Sequence, residues 1–353
     1  MKTKEKERKE KVLLYAGIDV AKAKFDVSFT LNGIETFGYQ SITNNTDGFK
    51  KLLKITKKEA KRLKIKTVHF VMEATGIYHC GLFEYLQEHS DQLISVVNPV
   101  QTKSFAKSHL LRTKNDKVDS IMLAQYGYFH KPKTTPKMPD VIKKFRTLVR
   151  YQEVLVKNRT QEYSRLEGTL DKDIKKMINQ SIQFIEKQQK EVISSINELI
   201  KNDIFLNHQI NLLKTVDGIG DKVAWKILSE LKFDSIENIS PKAQVAHAGL
   251  SPREFSSGSS VRGRCHISKM GNSNIRKVLY LPALGCLKHD NYFTPFYKRL
   301  INNGKSHRQA QVAVMRKMLY VSAAILKHQT PFDKDWAKKY QEKYREEHMQ
   351  KTA

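Results

Sequence analysis

The sequence has 353 residues, which is too long for one small hydrophobic core and indicates two or three domains. Its 63 Lys and Arg residues against 36 Asp and Glu give a formal net charge of +27, so we expect a polyanionic partner, with nucleic acid the leading candidate and a membrane surface the second. The sequence has no apolar run near the ~20 residues of a membrane span, no apolar signal-peptide core and no C-x-x-C pair, which excludes a transmembrane protein, a secreted disulfide framework and a paired-cysteine zinc site and favours a cytoplasmic, nucleoid-associated protein.

The first third of the chain predicts alternating strands and helices. Buried apolar runs and alternating patterns predict five strands, at 13–20, 25–31, 34–42, 68–72 and 93–97. Helical periodicity predicts three helices, at 47–64, 78–89 and 116–128. Three antiparallel strands followed by alternating helices and strands is the order of an α/β ribonuclease-H-like fold.

A proline-rich linker at 132–139 separates this part from a long helical region. The segment 141–201 has no proline, and its apolar residues recur at spacings of three, four and seven, which predicts a long amphipathic helix or a coiled-coil hairpin. The stripe comprises Ile178, Ile182, Ile185, Val192, Ile196 and Leu199. It is expected to pack on another helix or another subunit. The remainder is mostly helical, so the predicted domains are 1–135, 136–205 and 206–353.

Four acids stand where a metal site would need them. Asp19 lies in an apolar strand, where an unpaired carboxylate is costly to bury, and Glu73 ends the next buried strand. Asp116 and Asp119 share one face near the start of a helix. Alone, each acid suits a cap or a surface ion pair. Together the four predict a site for two Mg²⁺ ions, with Asp26 as a competing acid that neighbouring lysines could neutralise.

A second group of residues lies far downstream, around Ser256 and Ser257. Small residues surround these serines, and five basic residues flank them, namely Arg253, Arg262, Arg264, Lys269 and Arg276. A serine hydroxyl can act as a covalent nucleophile, and arginines stabilise charge on a transferring phosphoryl group. A solvated Ser/Gly-rich loop explains the same residues equally well. Upstream, the turn Gly218–Gly220 precedes a helix and suits either phosphate binding, as in a helix-hairpin-helix motif, or an ordinary tight turn.

Several short motifs occur in one order along nearly the whole chain. They are G-I-D-V-A-K at 17–22, M-E-A-T-G at 72–76, N-P at 98–99, K-N-D-K-V-D at 114–119, G-I-G at 218–220, A-G-L-S-P at 248–252, S-S-G at 256–258 and I-S-K-M-G-N at 267–272. On these motifs the chain resembles the DEDD-type transposases of insertion-sequence family one-ten, which are related to the Piv DNA invertases. One departure is Ser120, where the family often has alanine.

The resemblance implies more than the spacing does. It implies a RuvC-like N-terminal domain, a coiled-coil middle and a C-terminal transposase domain with a nucleophilic serine. That serine corresponds to Ser257, with Ser256 as the fallback. The four acids correspond to the ligands of Mg²⁺, with Mn²⁺ as a possible substitute. The family also implies DNA as donor and target, a structured noncoding bridge RNA as guide, and a dimer or tetramer whose subunits share active sites.

The reading that accounts for all these features is an RNA-guided DNA recombinase that mobilises its insertion sequence. A RuvC-like nuclease or junction resolvase would use the acids and water alone and would form no covalent bond to DNA. A non-enzymatic protein would bind nucleic acid through the basic surface and would not need the acids. A site-specific DNA invertase is a variant of the leading reading, which the protein sequence does not separate from a transposase.

Overall fold

The computed structural model describes residues 12–74, 76–109, 115–231, 240–253, 256–257, 261–262, 266–288 and 291–335; at 256–257, 261–262 and 286–288 the description is of the backbone. The chain divides into two compact units, Met1–Lys137 and Met138–Ala353. Within the described ranges, no helix combines the length and the apolar character needed to cross a membrane.

The first unit is built on a five-stranded mixed sheet. Its strands are β1 (Leu14–Val20), β2 (Lys24–Thr30), β3 (Thr36–Thr43), β4 (Val68–Glu73) and β5 (Leu93–Val97). Their order in the sheet is β3-β2-β1-β4-β5, with β1, β2 and β3 antiparallel and β4 and β5 parallel to β1. This order fits the predicted ribonuclease-H-like fold, and the sequence pattern placed each strand within two residues of its observed ends.

Helices cover both faces of this sheet. They are α1 (Thr46–Arg62), α2 (His79–His89), α3 (Pro99–Ser108) and α4 (Asp116–His130). On one face, Phe49 and Leu52 of α1 and Leu82 of α2 share a hydrophobic cluster with Ile18 of β1. On the other face, Met122 and further residues of α4 form a second cluster with β4 and β5. Because side chains alternate along a strand, residues 15, 17 and 19 of β1 face α4, and residues 14, 16 and 18 face α1 and α2.

The second unit opens with a helical hairpin, formed by α5 (Asp140–Gly168) and α6 (Lys172–Asn202). Three residues of the predicted apolar stripe, Ile182, Val192 and Ile196, are buried within this chain, so they are not a seam open to another subunit. The large apolar side chains that α6 leaves exposed include Met177 and Phe184. The hairpin alternative is therefore the observed one, and a coiled coil between subunits stays a prediction.

The rest of this unit is mainly helical. Its helices are α7 (Ile204–Lys214), α8 (Asp221–Glu230), α9 (Pro241–His247), α10 (Ser273–Lys288), α11 (Thr294–Asn302) and α12 (His307–His328). Two-residue strands form two small ribbons, from β6 (Pro252–Arg253), β7 (Ser256–Ser257), β8 (Val261–Arg262) and β9 (His266–Ile267). One hydrophobic cluster joins the base of the hairpin to these helices. A separate middle domain at 136–205 stays a prediction.

Candidate active site

Asp19 lies near the end of β1, on the face of the sheet that α4 covers. Burial is the largest influence on its carboxyl group. The negative charges of Asp119, Asp116, Glu73 and Asp26 add to it, and together they raise the pKa of Asp19 from 3.8 to about 6. The other three predicted acids therefore lie close enough to Asp19 to disfavour its negative charge.

The parallel pairing of β1 with β4 explains why Glu73 is near. Ile18 pairs with Met72, so Asp19 and Glu73 follow side by side at the ends of adjacent strands. The hydroxyl group of Thr102 donates a hydrogen bond of 2.6 Å to Oε2 of Glu73. Thr102 is buried and belongs to α3, so this helix orients one of the predicted ligands.

The other two acids come from the first turn of α4. Asn115 caps this helix, because its side chain accepts a hydrogen bond from the amide of Val118. The helix lies directly on β1 at Gly17, where a Cβ atom would collide with the backbone of α4 at Ser120 and Ala124. This close approach brings Asp116 and Asp119 to the face that carries Asp19.

The competing acid, Asp26, stands directly opposite Asp19 in the antiparallel register of β1 and β2. It is buried, its Oδ1 accepts a hydrogen bond of 2.7 Å from the Tyr39 hydroxyl, and its Oδ2 lies 3.4 Å from Nζ of Lys24. The same ammonium group lies 2.7 Å from Oδ2 of Asp116. Hydrogen bonding to Lys24 is the main cause that lowers the pKa of Asp116. Lys24 therefore links the competing acid to one of the predicted ligands.

The donor set suits a hard divalent cation, because all four side chains offer carboxylate oxygens. A divalent cation would also offset the repulsion that raises the pKa of Asp19. In the part of the chain that the structure describes, no three His, Cys, Asp or Glu side chains already surround one point as metal ligands. One carboxylate oxygen of Asp116, Oδ2, is engaged by the Lys24 ammonium group, which a metal ion binding at that oxygen would displace.

The predicted serine segment belongs to the second unit. Ser256 and Ser257 pair with Arg262 and Val261 in the β7–β8 ribbon. Of the five predicted basic residues, Arg253 is exposed and pairs with His266 in the β6–β9 ribbon, Arg262 is described by its backbone, and Arg264 lies outside the described residues.

The segment that follows β9 is fixed in an unusual backbone conformation. Lys269 has a φ of 54° and Gly271 a φ of 128°. A Cβ atom at Gly271 would collide with the carbonyl group of His247. Arg276 donates a hydrogen bond of 2.8 Å to the carbonyl of Ala248, which commits part of its guanidinium group to holding this loop. The predicted phosphate contacts of Lys269 and Arg276 stay predictions.

An ion-pair network around the buried Glu230 side chain, which the sequence analysis missed, also holds this loop. Both carboxylate oxygens of Glu230 accept hydrogen bonds from Arg150, at 2.8 and 3.0 Å, and Oε2 accepts a third from Asn272 at 2.6 Å. Burial acts to raise the pKa of Glu230, but the hydrogen bonds from Arg150 and Asn272 outweigh it and lower the pKa. The sequence signal was a single Glu in the apolar helix α8, which is too common a pattern to single out.

The predicted glycine turn has the expected backbone. Gly218 has a φ of 83°, and Gly220 occupies the cap position of α8 without a side-chain hydrogen bond to the helix amides. Asp221 fills the first turn and pairs with Lys214 at 2.6 Å. Phosphate binding at this turn stays a prediction.

Comparison with known proteins covers most of the chain. Residues 16–173 match a family model described as a transposase of the DEDD IS110 type, and residues 210–298 match one described as the transposase IS116/IS110/IS902 family. The pilin gene-inverting protein of Moraxella bovis is 33% identical over 91% of this chain and 98% of its own length. An uncharacterized 43.6 kDa protein of insertion element IS110 from Streptomyces coelicolor is 26% identical over 47% of this chain and 39% of its own length.

Among solved structures, RuvC of T. thermophilus in complex with a Holliday junction substrate aligns with 34% of this chain and 94% of that chain, at 10% identity and a TM-score of 0.26. At this TM-score, the sheet order itself remains the observation that identifies the fold. The family models and the full-length relative together show that the chain belongs to the IS116/IS110/IS902 family of transposases and is a DNA transposase or recombinase enzyme.

Proposed function

We propose that this enzyme cuts and rejoins DNA to mobilise an insertion sequence, using its four acids as a Mg²⁺ site and a serine as nucleophile. The observation that carries the proposal is the gathering of Asp19, Glu73, Asp116 and Asp119 on one face of the sheet, where burial and the neighbouring negative charges raise the pKa of Asp19 to about 6. Such crowding is costly in a stable fold unless the acids serve a cation.

In the proposed mechanism the four acids would hold two Mg²⁺ or Mn²⁺ ions, whose charge would polarise the scissile phosphate. The Ser257 hydroxyl loses its proton and its oxygen attacks the phosphorus atom. A phosphoserine ester forms as the bond to one deoxyribose oxygen breaks, and that oxygen takes up a proton. After strand exchange, a deoxyribose hydroxyl of the other DNA attacks the ester and releases the serine. Basic residues near the serine, Arg262, Arg264 and Lys269, bind the phosphate oxygens.

The test is denaturing gel analysis of labelled DNA incubated with wild type, Ser257→Ala and Ser256→Ala. We expect wild type and Ser256→Ala to form a covalent protein–DNA adduct that EDTA abolishes, and Ser257→Ala to bind DNA without forming it. An adduct lost only in Ser256→Ala would move the nucleophile by one residue. Cleavage by the wild type with no adduct under trapping conditions would support a water-using nuclease instead.

Guidance by a structured noncoding RNA is part of the proposal and is supported by the family motifs and the net charge of +27. We expect a discrete RNA to co-purify with the protein, and recombination to stop after exhaustive ribonuclease treatment. Undiminished recombination after that treatment would refute RNA guidance.

A second candidate function is site-specific DNA inversion. The full-length relative from Moraxella bovis is named a pilin gene-inverting protein, and it aligns over 91% of this chain. The two functions are distinguished by the products formed on a plasmid that carries both element ends. Inversion of the intervening segment without excision or insertion would identify an invertase, whereas an excised circle or a new insertion would identify a transposase.

A further inference from the structure

The solvent-facing side of α1 is a row of lysines. Residues 50–66 contain nine Lys and Arg and one acid, Glu59. The inner side of the helix buries Phe49, Leu52, Leu53 and Thr56. At 100° per residue, the opposite side carries an outer row of exposed lysines. These are Lys50, Lys51, Lys54, Lys57, Lys58 and Lys61.

This charge distribution differs from that of an ordinary solvated helix. Exposed helices usually alternate acids and bases four residues apart, because opposite charges at that spacing attract. Here four pairs of like charge occur at that spacing, namely Lys50–Lys54, Lys54–Lys58, Lys57–Lys61 and Lys58–Arg62. The helix has two ion pairs within the described residues, Lys50 with Asp47 and Arg62 with Glu59. The lysine row therefore repels itself, and a polyanion bound along it would relieve that repulsion.

The row lies on the opposite side of the sheet from the acids. α1 packs on the sheet face that carries Ile18 and Phe70, whereas Asp19 and Asp26 point to the face that α4 covers. A whole layer of sheet and helix separates the lysines from the acids. DNA held by the lysine row is therefore not the segment held at the acids of the same unit.

We propose that the outer lysines of α1 bind the phosphate backbone of duplex DNA outside the segment being cut. This rests on the proposed action on DNA. The helix rises 1.5 Å per residue, so Lys50 to Lys61 span about 17 Å, and duplex DNA presents about one negative charge per 1.7 Å of its axis. The outer row has no aromatic residue, because the one aromatic residue of α1, Phe49, is buried; single strands are usually held by stacked aromatic rings.

The test compares two variants that remove the same number of charges. One replaces Lys54, Lys57, Lys58 and Lys61 with Gln. The control replaces exposed lysines of α6, where the full chain offers Lys172, Lys176, Lys187 and Lys190. Binding of the full-length protein to a long duplex DNA is measured by fluorescence anisotropy at increasing salt. Affinity decreases with salt, and each phosphate contact adds about 0.9 to the magnitude of the slope of log K against log salt. We therefore expect this magnitude to be smaller by about 3 to 4 in the α1 variant than in wild type, and to change less in the control variant.

Three outcomes would contradict the proposal. An equal loss of DNA affinity in both variants would overturn it, because the loss would then report net charge alone. Loss of binding to a duplex RNA of equal length, with duplex DNA binding intact, would overturn the choice of DNA. The Tm of the α1 variant should equal or exceed that of wild type, because the repulsion between lysines is reduced. A clearly lower Tm would contradict a role of these lysines at the surface alone. Covalent adduct formation by the wild type on a short duplex tests the proposed function separately, since the binding assay needs no cleavage.

Discussion

Lys24 occupies an informative position beside the acids, because its ammonium group binds both Asp26 and Asp116. An ammonium group and a divalent cation compete for the same carboxylate of Asp116. We expect Lys24→Met to bind Mn²⁺ a few-fold more tightly, as measured by electron paramagnetic resonance, and to cleave DNA more slowly because the pair no longer orients Asp116.

The control for this variant is Lys22→Met, which removes the same charge from an exposed lysine in the same turn. It should leave the Mn²⁺ affinity nearly unchanged. If both variants bind Mn²⁺ equally well, the effect is one of net charge, and a specific competition at Asp116 is ruled out.

His69 makes the first unit sensitive to acid. Burial in β4 lowers the pKa of its imidazole from 6.5 to about 4, and its Nε2 shares a hydrogen bond of 2.7 Å with the Ser95 hydroxyl. Below pH 6.5 the unfolded chain binds a proton at this residue that the folded chain does not bind. The free energy of unfolding should therefore fall as the pH drops from 6.5 towards 4, by about 3 kcal/mol at most.

His69→Gln provides the measurement. It cannot titrate, so the difference in unfolding free energy between wild type and variant should narrow as the pH falls through this window, as followed by urea denaturation. A difference that stays constant from pH 7 to 4 would contradict the assigned protonation of His69.

At the scale of elements, the Glu230 carboxylate joins three of them. It binds Arg150 of α5 and Asn272 of the loop before α10, and it lies at the end of α8. Glu230→Gln keeps the shape of the side chain but removes the negative charge that accepts the hydrogen bonds of Arg150 and Asn272. Because the Arg150 side chain is 53% exposed and stays solvated, we expect a loss of about 2 kcal/mol in unfolding free energy and a Tm lower by on the order of 5 °C, as measured by calorimetry.

The same two helices offer a matched control. Glu153 of α5 pairs with Lys226 of α8 at 3.0 Å, and the Glu153 side chain is 30% exposed, against 3% for that of Glu230. Because water reaches the Glu153 carboxylate, Glu153→Gln should cost below about 1 kcal/mol. Comparable losses of unfolding free energy in both variants would show that burial of the Glu230 carboxylate does not make its ion pair more stabilising.

The strands of the first unit were predictable because each is an apolar run or an alternating pattern with a clear end. The placement of Asp19 and Glu73 at strand ends followed from the same runs. The sequence pattern does not predict α3, because Asn98-Pro99 directly follows the predicted strand 93–97 and is typical of a strand end, whereas Asn98 also caps a helix whose first residue is Pro99. The same two residues perform both roles, and a one-dimensional pattern shows only the first.

Contacts between residues far apart in the sequence could not be predicted from the sequence pattern. Nothing in the composition of α5 indicates that Arg150 meets Glu230, 80 residues later. Similarly, the sequence shows Ser120 only as a departure from the family pattern, whereas in the structure its hydroxyl group lies 2.8 Å from that of Ser28 in the buried contact between α4 and β2. Such pairs depend on the packing of elements, which periodicity does not specify.

At the scale of the whole molecule, the predicted acids and the predicted nucleophile belong to different compact units, with the division at Lys137. If a working site combines acids of one subunit with the serine of another, Asp19→Ala and Ser257→Ala carry defects in different halves of that site. Each alone should be inactive, and their mixture should recover part of the recombination activity.

The measurement is recombination of a labelled substrate by each variant and by the mixture, with mixed oligomers confirmed by differently tagged subunits. Inactive mixed oligomers would show that each site is built within one chain.

The close contact between α4 and β1 has a consequence for how this enzyme tolerates sequence change. Gly17 carries no functional group, yet any side chain at this position would collide with the backbone of α4 and displace the turn that holds Asp116 and Asp119. In a saturation mutagenesis screen for activity, position 17 should therefore be as intolerant as the acids themselves. Gly17 thus supports catalysis because its missing side chain leaves room for the backbone of α4.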